Sequence, residues 1–582
     1  MKNRIVIIII TVLLLAVGVY FAGIQIKEEN PVAFRVEVTS DGHTEHIDYW
    51  QGPDGCFYVF LPGYVAYEDV KFDVRASKAF IDGEELKDGM SCAAFEKNCF
   101  YDFSYRSWGK IYTGQIQFMQ SANIATMYIG TDSGSMDHIH QLKGNEESGN
   151  MVLYEADGQL NYSGRIDSMN GRGNDTWGNY EKKPYSVKLD NAADLLQMGE
   201  AEKWILLANA SDPSNMNNKI VYDFAERIDL AYSPDSEWVD LYLNNEYMGL
   251  YLLCERIEIG ESRVDITPTS EALDSSYIVS QELRERLVEK ANTYVLTESG
   301  IALRIQEPVN VSGLQMNEIA LKFQAAERAI CAENGIDPQT GLHYENIIDV
   351  DSWVKKYLIE ELFMNIDAGS GSQYYYYDSQ SADMKLYAGP VWDFDHSMAE
   401  LDIMQPETLI ANREYSDSEH YTPWYHELYR KEDFYNEVVD VYEETILPEL
   451  EYLQSEKLPV YVEHIRSSAY MNQCRWYMNT AENFDTATDD IYAFLNRREA
   501  FLNRLWIEEK EHCMVRVNTS GKGFYIYYTV PKGECIKELP EEQIADQTGF
   551  VGWYFEGTET VFDITEPINE DIYIYAKLEN DK

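Results

Sequence analysis

The chain has 582 residues, with 100 Asp and Glu against 47 Lys and Arg, a net charge of −53. That length allows several domains at roughly 150 residues each, and 45% hydrophobic residues is the composition of a globular protein. So acidic a surface repels nucleic acid and anionic lipid headgroups, which excludes those partners and requires any site for an anionic ligand to be built locally.

In chain order, the first feature is an uncharged run over residues 5–24, "IVIIIITVLLLAVGVYFAGI", preceded by Lys2 and Arg4. At about 1.5 Å per residue it matches a bilayer core of about 30 Å. The positive end stays in the cytoplasm, so residues 1–27 read as a transmembrane anchor with the bulk of the chain outside the cell. Cleavage as a secretory signal is the alternative, for which "VYFAGIQIKEEN" offers a poor small-x-small site.

Residues 28–150 read as a β-rich accessory domain. Alternating runs such as "FRVEVTS", "CFYVFLPG" and "GQIQFMQS" are broken by Gly, Asp, Ser and Pro, the pattern of a small sandwich. The eight cysteines make no CxxC pair, which argues against zinc. In an exported chain Cys92/Cys99 and Cys513/Cys535 are candidate disulfides. Free, mostly buried thiols are the alternative.

Residues 151–511 mix strands and helices. "YSVKLD", "KWILLANA" and "VDLYLNNEYMGLYLLCERI" read as strands, the last folded into a hairpin at "NNEYMG". Between them "SDPSNMNNKIVYDFAERI" reads as a helix, with Asp212 as cap, Pro213 at its first position, and Ile220, Phe224 and Ile228 at helical spacing. Beyond residue 310 the pattern is chiefly helical, in "NEIALKFQAAERAICAEN" and "DVDSWVKKYLIEELFMNID". The fold class is therefore α+β, with a cleft between a β-rich and a helix-rich half. Residues 512–582 form a last, small β module.

Three clusters carry candidate chemistry. In "RIDSMNGRGNDTWGNYEKKPYSVKLD", Gly171, Gly173 and Gly178 permit a close-approaching backbone, and four cations lie from Arg172 to Lys188. A Gly-rich turn followed by a strand with lysine suits phosphate; a solvated hairpin with a basic tip is the bland alternative. In "ELFMNIDAGSGSQYYYYD", Asp367 leaves a helix end for a Gly/Ser turn, a place for a general base or for a simple capping residue. In "GPVWDFDHSMA", Asp393 and Asp395 alternate with aromatics. On a strand they share a face about 6.5–7 Å apart, and in a turn they come closer. Oxygen ligands of this kind suit Mg²⁺ or Mn²⁺, and a pair of surface acids is the alternative.

The order of these parts follows a protein-kinase phosphoryl-transfer site, although GxGxxG, HRD and DFG are missing. "RGNDTWGNYEKKPYSVKLD", "KWILLANASDPSNMNNKI", "VDLYLNNEYMGLYLLCERIEI", "NIDAGSGSQYYYYD" and "GPVWDFDHSMA" together resemble, in order, segments of the spore coat protein H-like (CotH) kinase family. The resemblance runs over about 150–410 and implies an atypical protein-kinase-like core, secreted or surface-associated, that uses ATP and Mg²⁺ or Mn²⁺ to phosphorylate Ser/Thr of a surface or extracellular protein. It implies Asp367 as the catalytic base, Asp393 as metal ligand with Asp395 as a second, and Lys183 or Lys188 on the phosphates, with Arg172 in the same basic segment. Glu255 falls where adenine contacts lie, and Glu226 is the candidate ion-pair partner of the lysine. Where the family pattern calls for an Asn ligand five or six residues after the base, this chain has Ser372 and Gln373, so Gln373 is the candidate third ligand. That departure leaves open a catalytically degenerate kinase-like surface protein that acts as a binding or adhesion module. Residues 549–578, "GFVGWYFEGTETVFDITEPINEDIYIYAKL", resemble one internalin-type B repeat (Listeria–Bacteroides repeat), which implies a spacer or interaction role.

Overall fold

The computed structural model describes residues 32–107, 109–268, 273–282, 293–398, 406–411, 423–476, 483–508, 512–519, 525–537, 539 and 549–578. The expected anchor over residues 1–27 lies outside them. Among the described residues no helix is long and apolar enough to cross a membrane.

The chain divides into two compact units, residues up to Gln120 with Asn245–Tyr247, and Ser121–Asn244 with the remainder. The first is all β around aromatic residues. A three-stranded sheet built on Phe34–Ser40 faces a six-stranded sheet that contains Phe57–Leu61, Phe100–Ser107 and Lys110–Gln120. Phe34, Phe72 and Phe103 meet edge-on, with ring centroids 5.0–5.8 Å apart, the geometry that the aromatic quadrupole favours. All eight cysteines are free thiols; neither candidate disulfide forms.

The second unit begins with a closed seven-stranded barrel, in the order Ala125–Thr131, Glu146–Tyr154, Leu160–Gly171, Tyr185–Asp194, Glu200–Leu207, Glu246–Glu255, Ser236–Leu243. Closure comes from a parallel pairing of Ala125–Thr131 with Ser236–Leu243, and it leaves the barrel with no open edge. The strands at 125–131 and 146–154 thus belong with the later unit, although in sequence they continue the β-rich start. Inward residues such as Met127, Leu153, Val187, Leu206 and Leu253 fill the interior. The hairpin at "NNEYMG" forms as expected: Asn244 and Asn245 both take left-handed backbone, at φ 50° and 75°, which is what a tight hairpin turn demands and Asn tolerates.

Against the barrel's other residues packs a second core that carries the helices Asn217–Arg227, Gly313–Cys331, Val350–Leu362, Leu458–Trp476 and Phe484–Leu502. Two of the expected helices start on side-chain caps, and the one read from Asn317 onward begins earlier, at Gly313. Ser312 and Gln315 form a reciprocal capping box, and Asp349 accepts from the backbone of Ser352. Another start comes later. The helix expected from Asp212 begins instead at Asn217, because 212–216 form a separate turn whose carboxylate still reaches the Asn217 N–H at 2.9 Å. Residues 512–582 close the chain with a four-stranded sheet, in the order Tyr525–Pro531, His512–Asn518, Ile572–Leu578, Phe550–Phe555. Mixed sheets and helices make the molecule α+β.

Candidate functional site

Four segments meet around Asp395. The first is the Gly-rich turn after strand Leu160–Gly171. A side chain at Gly171 is impossible, since its Cβ would lie 2.2 Å from the Trp177 ring. Trp177 folds back over that glycine, and Lys143 ties down the Gly173 carbonyl at 2.7 Å and the Asn174 amide oxygen at 2.9 Å. The turn so fixed directs the Thr176 hydroxyl at the Asp395 carboxylate, 3.5 Å away, and sets Asp175 3.5 Å from His396.

The second segment, 209–218, supplies Ser211, whose hydroxyl donates to the Asp395 carboxylate at 3.2 Å. It also supplies a buried set of asparagines. The Asn218 side chain accepts from the backbone N–H of Phe394 at 2.9 Å, and Asn217 donates to the Ser397 carbonyl at 2.9 Å. Asn209 and Asn215 sit in left-handed backbone at φ 47° and 58°. The start of the Asn217–Arg227 helix is thereby a clamp on the 394–397 loop.

The third is the turn after the Val350–Leu362 helix. Asn365 accepts from the Asp367 N–H at 3.0 Å, and the Asp367 carbonyl accepts from Ser370 and Gly371. These bonds hold the carboxyl half-buried, as the sequence led one to expect of a turn. Two residues before strand Tyr374–Tyr377, the Ser372 hydroxyl donates to Asp393 at 2.9 Å.

The fourth is "WDFD" itself. It is neither strand nor pair of surface acids. Asp393 takes left-handed backbone at φ 68°, so the strand geometry is replaced by a turn that brings the acids out among Thr176, Ser211 and Ser372.

The electrostatics follow from this crowding. Burial, then the charges of Asp393 and Asp395, push the Asp367 carboxyl up to about 7. Burial and Asp393 push Asp395 to about 6, opposed by His396 and the Ser211 hydrogen bond. Hydroxyls alone do not neutralise such acids. Arg172 stands beside Trp392, its guanidinium 5.3 Å from that ring, and it makes no ion pair among the described residues.

The other expected site residues differ in their surroundings. Lys183 is spent locally, its ammonium donating to the carbonyls of Trp177, at 2.5 Å, and Tyr180. Lys188 points outward on its strand, paired with Asp167 at 2.7 Å and 40% exposed. Glu226 is exposed on its helix, with no ion pair to either lysine among the described residues. Glu255 is 6% exposed and closed off by Arg263 and the Asp235 N–H, and burial pushes it to about 7. Gln373 is fully buried, and neither atom of its amide has a hydrogen-bond partner. Asn365 Nδ2 and Asn217 Oδ1 are likewise buried without one among the described residues. Orphaned polar atoms of this kind are costly, and Asn365 and Gln373 flank Asp367 in sequence.

Sequence reasoning missed Thr176, Ser211 and the asparagine clamp, and it marked Ser372 only as standing where an Asn ligand is expected. The available signal was "SNMNN": three Asn where a helix start should be, too polar for a face that the pattern Ile220, Phe224, Ile228 sends into the core. It also missed Lys182, which is 2% exposed, sits 4.7 Å from the Tyr251 ring and donates to the Leu250 carbonyl at 2.5 Å. Burial lowers its ammonium to about 7.

A CotH kinase protein family model matches residues 170–502, a span that holds every side chain of this site. The chain matches no curated protein.

Proposed function

The chain belongs to the CotH kinase protein family, and we propose that it is a surface-anchored extracellular kinase that transfers the terminal phosphate of ATP to Ser or Thr hydroxyls of a surface protein. The observation that carries the reading is the gathering of Asp367, Asp393 and Asp395, which make no ion pair with a Lys or Arg among the described residues, with Arg172 over the adjacent Trp392. The kinase-like organisation of the core, the outward topology set by residues 1–27 and the B-repeat character of 549–578 belong to the same proposal.

The donor set fits a divalent metal. Asp393 and Asp395 offer carboxylate oxygens, and the unpartnered amide of Gln373 offers a third. Mg²⁺ is held by one or two carboxylates together with substrate phosphates rather than by an all-protein cage. When bound, such an ion neutralises charge on the phosphates. The chain's own residues do the rest. Ser372, Thr176 and Ser211 orient the aspartates, and Arg172 meets an anion beside Trp392. Asp367 accepts the proton as the acceptor oxygen bonds to phosphorus and the bond to the ADP oxygen breaks. A carboxyl near 7 is matched to proton abstraction at neutral pH.

The engagement of Lys183 and Lys188 elsewhere favours the second reading, a degenerate kinase-like surface module. One experiment separates the two. Nucleotide titration is run beside radiolabelled phosphate transfer to a Ser/Thr-rich acceptor. Asp393→Asn should weaken metal-dependent ATP binding and transfer together. Asp367→Asn should keep binding and lower transfer by about 10²–10⁴. Wild-type binding without transfer would select the degenerate module, and unimpaired binding and transfer in both variants would remove the kinase assignment.

A further inference from the structure

A cavity of about 340 Å³ opens between the Trp424–Tyr429 helix and the C-terminal sheet, lined chiefly by Tyr429, Arg430, Arg516, Tyr527, Glu556 and Tyr573. Its size is at the low end of small-molecule sites, roughly 300–1,000 Å³. The walls are rigid for physical reasons. Tyr527 is 3% exposed and part of the large helical core. The Tyr429 hydroxyl accepts from the Trp506 indole at 3.0 Å, and Arg504 bonds the Thr529 hydroxyl at 2.9 Å across the same junction. Arg516 lies 4.2 Å from the Tyr573 ring and donates to Glu556 at 2.8 Å.

Charge decides the ligand class. Each guanidinium is offset by a carboxylate: Arg516 by Glu556 at 2.8 Å, Arg430 by Glu427 at 3.6 Å. An anion entering here gains little Coulomb energy and meets the Glu556 carboxylate in the wall. What remains is a set of aromatic walls with hydrogen-bond donors and acceptors among them. Tyr573 is 41% exposed and Arg430 has 66% of its side chain in water, so an aromatic face and a fork of donors are open to a ligand. A neutral, flat, hydroxyl-rich ring satisfies both: its C–H face packs on the tyrosine and its hydroxyls exchange hydrogen bonds with Arg430, Arg516 and Glu556.

We propose that this cavity is a binding site for a neutral saccharide. It stands apart from the phosphoryl-transfer reading, because none of its residues belongs to the aspartate site. The test is saturation-transfer NMR on the full chain, with a panel of neutral trisaccharides of glucose, mannose, galactose and N-acetylglucosamine, and with trigalacturonate as the acidic comparison. The expected result is transfer to the ring C–H protons of a neutral probe, lost or weakened at least tenfold in Tyr573→Ala, with ATP titration unchanged. Arg430→Ser, a change at an exposed side chain, should weaken the same probe several-fold, and it serves if Tyr573→Ala fails to fold. Absence of binding by every neutral probe, equal binding by wild type and variants, or tighter binding of trigalacturonate would each overturn the proposal.

Discussion

Glu361 and Asp367 stand six residues apart, one at the end of the Val350–Leu362 helix and the other in the turn beyond it. Glu361 is fully buried with Arg498 against it at 2.9 Å, and its carboxylate also accepts from the Ile410 N–H at 2.7 Å. Its neighbour Glu360 is fully buried on Lys356. Among the described residues Asp367 makes no such ion pair and sits instead among other acids, with its carboxyl pushed up to about 7 by burial and by Asp393 and Asp395. The helical region thus closes its buried charges, and the turn leaves its charges open. A protein that can bury an arginine beside Glu361 could have done so beside Asp367, so the open acids mark the place where a ligand's charge is expected. The contrast can be broken from either side.

The largest stability effect is expected on the closed side. Arg498 donates to the Glu361 carboxylate and backbone carbonyl and to the carbonyls of Pro406 and Thr408, and so fastens the 406–410 segment to the helix end. Arg498→Met removes the cation and leaves a buried carboxylate behind. It should cost about 3–5 kcal/mol in chemical denaturation, and Arg498→Met with Glu361→Leu should recover part of that loss. A loss below about 1 kcal/mol would mean that the pair is dispensable and that the contrast with Asp367 has no energetic content.

The open side predicts a smaller effect of opposite sign. Below the ordinary aspartate value of 3.8 both the folded and the unfolded chain hold the Asp367 proton, and up to about 7 the folded chain alone keeps it. Folding stability therefore falls as pH rises through that window. Asp367→Asn cancels the penalty, so in chelator the variant should be more stable than wild type at pH 8, by about 1–2 kcal/mol after solvent screening, and equal to it near pH 4. Melting curves at the two pH values check this. A variant that is less stable at pH 8 would show that the carboxylate is already neutralised by the chain.

Much of the fold was legible because its signals are local. Alternation located the strands of the hairpin, Asn244–Asn245 fixed its turn, and the helical pattern that opens at Asp349 begins on that residue as its cap. Barrel closure was not legible. It rests on Ala125–Thr131 pairing with strand Ser236–Leu243, more than a hundred residues on, and no periodicity reports a partner that far away. The site divides in the same way. Asp367, Asp393 and Asp395 stood out because acids interrupt apolar or glycine-rich runs. Ser211 and Thr176 did not, since an isolated hydroxyl has no pattern until the fold brings it to an acid. The lysines misled for a related reason. Charge counted along the chain gave four cations in one segment, but strand alternation sends Lys188 outward while Lys182 turns in and Lys183 caps its own turn.

The smallest effect is expected at Lys188, and it sharpens the comparison of open and closed charge. Its ion pair with Asp167 is wholly at the surface, where long side chains surrender entropy to hold one geometry and salt screens what is gained. The strand that carries it sends Val187 and Leu189 into the barrel, so Lys188 faces away from that interior by the two-residue period of a strand. Lys188→Ala should leave nucleotide affinity and melting temperature within error of wild type, at low and at high salt. A salt-sensitive loss of ATP affinity in Lys188→Ala would place the phosphates on the outer face of this strand. Arg172 beside Trp392 would then lose its place as the cation of the site, and the open acids would need another partner.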